Sequence, residues 1–443
     1  MKIYKIFCIC FLCFITYKAE AKFVDVNSFE LDNGLQVFVI ENHRAPIIES
    51  RVFYKVGSLN DGIGKGGIAH LLEHMMFRGT KKVGNDEFNH IIEENGINNN
   101  AYTTLDHTTY YGFMGIDKLE LMLALEADRM SNLNMKDKDF LKERDVVLQE
   151  RKQRFESNPS ILFYENIDDL LWQGGRLGNP VSGREKEIVN LTKDDAYKFY
   201  KKYYKINNAI LVLAGDITLE QAKEIVKKHF GNIEAKVSNK IENNENLKKV
   251  DAKLEMRLEG VKEPRYIKYI RLDKGFLSKK EVLALGILEE YLTGDDSSIM
   301  YDKLVYKDKK FLSVGVSSSY YPEYGGQIGI SVVMADKKID VDEIGRIIDE
   351  ALDFGMNSLC EEKLEEIKNQ YLSEAIYLAD DIRSVAGFVG VMAINGYDVN
   401  EMKNYDMMIN DIIVNDVKDV YNKIFSNKLS CVVGLLEGDN NEN

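Results

Sequence analysis

Apolar positions along this chain follow two rhythms. Phe29-Glu30-Leu31 and Leu35 to Ile40 have strand length and flank Asp32-Asn33-Gly34. Asn-Gly accommodates the positive φ of a tight turn, so the segment predicts a β-hairpin. Ile47 to Val56 and Thr108 to Met114 predict two further strands. Helical spacing takes over from Ile68 to Phe77, after a glycine-rich loop (Gly62 to Gly67) and before a stop at Gly79. It returns in Leu119 to Leu133 and Lys138 to Phe155, both strongly charged on one face. Strands and helices are mixed, and the hairpin implies antiparallel pairing. The expected class is α+β.

One pattern occurs twice. Asp195 to Asp216 (DAYKFYKKYYKINNAILVLAGD) and Asp416 to Asp439 (DVKDVYNKIFSNKLSCVVGLLEGD) each carry an amphipathic helix with an aromatic pair, a polar turn, a buried strand and Gly-Asp. Tyr200 answers to Tyr421 and Tyr204 to Phe425, an offset of 221 residues, close to half the chain. The repeat predicts two structurally similar halves. Between them the sequence turns polar (KVSNKIENNENLKK) and offers little to bury. The expected division is therefore 22–232 for the first half, 233–250 for a linker and 251–443 for the second half.

The first 21 residues read differently. Lys2 and Lys5 precede an uncharged apolar run, Ile6 to Thr16, and Ala19-Glu20-Ala21 supplies small residues before Lys22. This is the plan of a secretory signal peptide, with an apolar run too short to span a bilayer. The protein is expected to be exported, to the periplasm if the source is Gram-negative and otherwise secreted. No later segment approaches the length of a membrane span. Only Cys360 and Cys431 lie beyond the expected cut, and they are expected to remain unpaired thiols.

Composition narrows the partners. The chain has 443 residues, 45% hydrophobic and 29% charged, so it is globular and long enough for two cores. Its net charge of -14 argues against nucleic acid as a partner. All six histidines fall at or before position 229, which confines imidazole chemistry to the first half.

Two of them carry the chemistry. In His70-Leu71-Leu72-Glu73-His74 both imidazoles and the carboxylate share one face of a helix. Two neutral imidazoles suit Zn²⁺, and a carboxylate beside them can take a proton from water. This is the H-x-x-E-H order, the reverse of H-E-x-x-H. A catalytic zinc needs a third protein ligand. Glu143-Arg-Asp-Val-Val-Leu-Gln-Glu150 offers two glutamates two helical turns apart on one face, although spacing alone equally describes a charged surface helix. Two other features carry less. Gly62-Ile-Gly-Lys-Gly-Gly67 lacks the spacing of a phosphate loop, and His107 reads as a packing or surface histidine.

The run His70 to Thr80 (HLLEHMMFRGT) resembles the inverted-zincin metallopeptidases: pitrilysin, insulysin and above all a bacterial branch like the mitochondrial processing peptidases. LDNGLQVFV, the run from Asn100-Ala101-Tyr102-Thr103 to Thr109-Tyr110, ERDVVLQE, and NPVSGREKEI leading to AILVLAGD are similar to the same family, in order. The resemblance is strong from about residue 29 to 230 and architectural beyond. It implies a clamshell of two α+β halves with one zinc. In the family a distal glutamate follows the second histidine by about 76 residues, the position of Glu150. The resemblance therefore implies His70, His74 and Glu150 as ligands, Glu143 as the carboxylate supporting a histidine, and Glu73 as general base on the water in the fourth position. It also implies a peptide substrate bound as an edge strand at Asn100 and Ala101, with Phe77 in an apolar pocket.

The chain departs from the family in its second half. At the 221-residue offset Tyr291, Asp295 and Tyr371 answer to His70, His74 and Glu150, so no second metal site is expected. In Leu304 to Val316 the family pattern carries an arginine and a tyrosine that reach the substrate, and here those places read Val305 and Leu312. Lys303, Tyr306 or Lys307 are the available substitutes. The expected enzyme is the zinc-bearing member of a two-chain peptidase whose sister subunit lacks zinc and carries the Arg-Tyr pair, or otherwise a homodimer. The alternative is a non-peptidase structural or assembly subunit of the same fold.

Overall fold

The structure is a computed structural model that describes residues 23–235, 247–334 and 340–438. The signal-like segment, and residues 236–246 of the expected linker, lie outside the described residues.

The first half runs β1 (Val26–Glu30), β2 (Gln36–Glu41), β3 (Ile47–Tyr54), α1 (Ile68–Met75), α2 (Asn85–Glu94), β4 (Asn98–Thr103), β5 (Thr108–Gly115), α3 (Leu119–Asn132), α4 (Asp137–Ser157), α5 (Ser160–Trp172), α6 (Glu185–Val189), α7 (Lys193–Tyr203), β6 (Ala209–Gly215) and α8 (Leu219–Phe230). The second runs β7 (Asp251–Leu258), β8 (Arg265–Leu272), α9 (Lys279–Thr293), α10 (Ile299–Tyr301), a π-helical stretch (Asp302–Lys307), β9 (Phe311–Tyr321), β10 (Gly325–Met334), α11 (Val341–Ser358), α12 (Glu361–Asp380), α13 (Ile382–Ile394), α14 (Val399–Lys403), α15 (Tyr405–Asn410), α16 (Val414–Phe425) and β11 (Cys431–Gly438).

Strand order makes the duplication visible. One sheet is β1-β2-β6-β3-β5-β4 and the other β7-β11-β8-β10-β9. Without β1 the two orders match place for place, with one parallel pair each (β2–β6 and β7–β11) and antiparallel pairs elsewhere. The chain is α+β, in two similar halves. The hairpin forms as expected: Gly34 adopts φ +83° and β1 pairs with β2 in register Glu30↔Gln36.

The halves exchange helices. The α5 side chains Phe163, Ile167, Leu171 and Trp172 bury themselves against Ile267, Val432 and Leu436 of the second sheet. In return α13 packs on β3 and β6, putting Val385 and Val389 into one core with Phe53, Ile210 and Val212. Close approach decides two residues here. A Cβ on Gly390 of α13 would lie 2.1 Å from the Phe53 ring, and one on Gly434 of β11 would lie 2.5 Å from Phe163. Interiors packed this tightly tolerate no extra methyl without displacement. Cys360 and Cys431 are both free thiols. No helix among the described residues is long and apolar enough to cross a membrane.

Candidate metal centre

Helix α1 is short, so both ends must be held. The buried Asp61 carboxylate accepts from the N–H of Gly67 (2.7 Å) and of Ala69 (3.1 Å), satisfying donors that a first turn leaves unpaired. Gly67 sits at φ +85°, and a Cβ there would meet Ser182 O at 2.5 Å. Gly183, at φ +76°, approaches Gly66 just as closely. The glycine-rich loop is thus a backbone-to-backbone contact with the NPVSGREKEI segment, not a phosphate cradle.

On this helix His70 and His74 lie ring edge to ring face, centroids 4.9 Å apart. Helix α4 crosses beside them and supplies both glutamates. Glu150 Oε2 lies 3.9 Å from His70 Nε2 and 3.7 Å from His74 Nε2. One ligand atom from each of His70, His74 and Glu150 can be chosen so that all lie within 4.8 Å of one another. Among the described residues this is the one group of three or more such side chains so placed. Two turns earlier, the buried Glu143 accepts from His74 Nδ1 at 3.3 Å and is paired with Arg78 at 2.5 Å.

The electrostatics suit a cation. Burial, followed by the neighbouring His74 and Arg154, pulls His70 down to about 4, so its imidazole is neutral at physiological pH. At His74 burial acts in the same direction, but the Glu143 hydrogen bond and the charges of Glu150 and Glu73 outweigh it and raise the group. Burial also favours the neutral form of Glu143, yet His74 and Arg78 prevail and keep it low. The carboxylate therefore stays charged, and a protonated Nδ1 leaves Nε2 of His74 free to donate its lone pair outward. Two imidazoles and one exposed carboxylate, converging and backed by a buried anion, could hold Zn²⁺ with a position to spare.

Glu73 occupies the same face. It is 9% exposed, and burial lifts its carboxyl above the usual range, against the pull of Thr103 and His74. Thr103, the last residue of β4, donates its hydroxyl to Glu73 Oε2 at 2.5 Å. Asn100 and Ala101 lie on that strand, opposite Tyr111 and Tyr110 of β5, and β4 is the edge of its sheet. Ala101 donates its N–H to Asn100 Oδ1 at 2.8 Å. Phe77 is half-buried against Phe88, Tyr110 and the guanidinium of Arg129. His107 is buried between Phe53 and Tyr102, its Nδ1 held by Asp106 at 2.7 Å, a packing histidine. The sequence motifs contain Arg78 and Thr103 but give neither a role. The signals for them were a cation four residues beyond His74, and a hydroxyl closing the NAYT run.

The profile of Insulinase (Peptidase family M16) matches residues 36–185, and that of the Peptidase M16 inactive domain matches residues 190–371. The chain belongs to peptidase family M16. The zinc protease PqqE of Helicobacter pylori is 28% identical over 427 residues, 92% of this chain and 92% of that protein. Mitochondrial cytochrome b-c1 complex subunit 1 of Bos taurus is 29% identical over 204 residues, 46% of this chain and 42% of that protein. A solved structure of a protease from Helicobacter pylori superposes with a TM-score of 0.84 at 26% identity, covering 94% of this chain and 100% of that one.

Within this M16 framework the second half carries different chemistry. Tyr291 donates to Gly355 O at 2.9 Å, Asp295 accepts from Gln370 at 2.9 Å, and Tyr371 meets the Tyr405 hydroxyl at 3.4 Å. The stretch lacking the Arg-Tyr pair is π-helical before it enters β9. Of the candidate substitutes, Lys303 pairs with Asp308 at 3.2 Å and Lys307 with Asp302 at 2.5 Å. Tyr306 and Leu312 are exposed.

Proposed function

We propose that the chain is an exported zinc-dependent endopeptidase that cleaves peptides or unfolded polypeptides laid along β4 as an added strand. The observation that carries this reading is the approach of both Nε2 atoms to one Glu150 oxygen, with Glu73 on the same helix face. Zinc held by His70, His74 and Glu150 supplies Lewis acidity, which acidifies water and polarises a carbonyl. The remaining steps belong to the chain. Glu73, a buried carboxylate with a raised proton affinity, takes a proton from the attacking water and returns it to the departing amine nitrogen. Glu143, fixed by Arg78, keeps the His74 ring turned outward. The free edge at Asn100 and Ala101 offers main-chain groups to an extended substrate, and Phe77 an apolar contact.

Export rests on the signal-like residues 1–21. The partner is a homologous zinc-free subunit carrying the Arg-Tyr pair, because Val305 and Leu312 stand in those places and the candidate substitutes Lys303 and Lys307 are paired locally. A homodimer is the alternative. A second reading, a structural subunit without peptidase activity, is favoured by the likeness to cytochrome b-c1 complex subunit 1.

Metal analysis with a peptide-library digest of wild type and Glu73→Gln tests the reading. Zinc retained with cleavage abolished is expected, and equal cleavage by both proteins would refute it. A wild type that binds zinc and cleaves nothing, alone or with a sister subunit, would favour the structural reading. Full activity without any partner would remove the two-chain reading alone.

A further inference from the structure

The edge strand and the proposed base are joined by one side chain. We propose that Thr103 is a positioning residue for Glu73, and that the turn after it clamps strand β4 to helix α1. The inference rests on the reading of Glu73 as the base, and goes beyond it to what holds the base in place.

A glutamate on a helix has three rotatable bonds and no fixed direction of its own. The Thr103 hydroxyl, 2.5 Å from Glu73 Oε2, removes that freedom with a short, charge-assisted hydrogen bond. Threonine suits the task because its branched Cβ restricts the first torsion. One carboxylate oxygen is engaged, and the other stays available to accept a proton.

Thr103 pairs with Thr108 of β5 and leads directly into a fixed turn. Beyond it, Thr104 donates its backbone N–H to His107 O at 2.8 Å, and its Oγ1 accepts from the His107 N–H at 3.1 Å. Asp106 binds His107 Nδ1 at 2.7 Å, and the ring is wedged against Phe53 and Tyr102. This stapled turn docks on the segment that leads into α1. Ser58 donates to Thr104 O at 3.1 Å and Leu59 to Leu105 O at 2.8 Å. A Cβ on Gly57 would lie 2.4 Å from Thr104 O, so only glycine permits the contact. Four residues after Gly57, Asp61 caps α1.

The contacts close a ring: cap of α1, docked turn, end of β4, and back to Glu73 on α1. A peptide paired with Asn100 and Ala101 and the carboxylate that serves it are thereby one rigid unit, which is what catalysis by orientation requires. At the 221-residue offset the second half has Gly294 and Tyr324 in place of Glu73 and Thr103, and so lacks the pair.

Thr103→Val and Thr103→Ser test the proposal in the full chain. Crystal structures of the metal-free variants read the Glu73 conformer directly. It is expected to be single and bonded to residue 103 in wild type and T103S, and redirected in T103V. In zinc-loaded protein, T103V is expected to lower kcat by about 30-fold with KM within about 2-fold, and T103S to return kcat to within about 3-fold of wild type. A Glu73 that keeps its place in T103V, or a T103S as impaired as T103V, would overturn the proposal. Failure of the underlying reading is distinguishable, because Glu73→Gln would then cleave like wild type whatever stands at position 103.

Discussion

Helices α1 and α4 in the first half and α9 and α12 in the second stand on sheets of the same order, yet they are furnished in opposite ways. Between α1 and α4 lie His70, His74, Glu73, Glu143 and Glu150; the matching places hold Tyr291, Asp295, Gly294, Leu364 and Tyr371. The contrast extends beyond the site. In the first half Glu49, Asp61, Glu126, Asp128, Arg129 and Glu143 are all buried, and Arg129 is gripped by Glu126 beneath Phe77 and Tyr110. In the second half, among the described residues, Arg271 and Lys368 are the buried charges. Buried charge is costly unless it is paired and hydrogen-bonded. The duplicated scaffold is sustained by apolar positions and close-contact glycines, which both halves keep. Polar investment beneath the surface marks the half that presents a reactive face.

The largest effects should come from making the first half resemble the second. Glu150→Gln removes the one exposed carboxylate among the three proposed ligands, and zinc affinity is expected to fall by more than about 100-fold, with cleavage lost in parallel. Glu143→Gln leaves the three proposed ligands but releases His74, for an expected loss of about 10- to 100-fold. Competition titration with a zinc chelator measures both. If Glu143→Gln proves as severe as Glu150→Gln, the supporting role of Glu143 is wrong and it binds the metal itself.

Local chemistry was legible in the sequence because it depends on short spacings, and the repeat because it depends on one constant offset. The i, i+3, i+4 spacing of His70, Glu73 and His74 needs only a helix, and the match of Tyr200 with Tyr421 needs only a constant offset. What the reading lacked depends on contacts between distant segments. Nothing local to α5 tells that Phe163 packs on Gly434 some 270 residues away. The same holds for α13, whose Gly390 makes sense only against Phe53. Spacing excluded a phosphate loop at Gly62 to Gly67, but what Gly66 and Gly67 do instead was not legible, because their neighbours Ser182 and Gly183 are remote in sequence. Glu150 was separable from other acidic residues only by family resemblance, since a charged helix face has the same pattern.

A smaller effect distinguishes the two exchanged helices. Asp168 on α5 is half-buried at the seam, accepting from Gln327 of β10 at 3.3 Å, and the corresponding position of α13 is the apolar, buried Val389. Burial, together with the charges of Asp169 and Glu165 and against the pull of Gln327 and Arg184, pushes Asp168 up to about 7 from an ordinary 3.8. The folded state therefore holds a proton between these values that the unfolded chain releases. Its contribution to stability is full below about pH 4 and is lost as pH rises through about 7, an effect of roughly 2–4 kcal/mol. Urea melts between pH 4 and 8 should show this decline in wild type, and Asp168→Asn should flatten it. An unchanged slope in Asp168→Asn would mean that the two seams respond alike.

The smallest expected effect lies at the position that answers to Glu150. Tyr371 is half-buried, and its hydroxyl reaches Tyr405 at a long 3.4 Å, over a helix surface cleared by Gly286. Tyr371→Phe keeps the ring and removes only that hydrogen bond, so it should cost about 0.5–1 kcal/mol in a urea melt. Zinc affinity and cleavage should both match wild type. The same structural place would then tolerate loss of its polar atom in one half and not in the other, as expected if the second half shapes the chamber without taking part in the chemistry. Reduced cleavage by Tyr371→Phe, with zinc binding and stability intact, would break the comparison, because α12 would then be acting on the substrate.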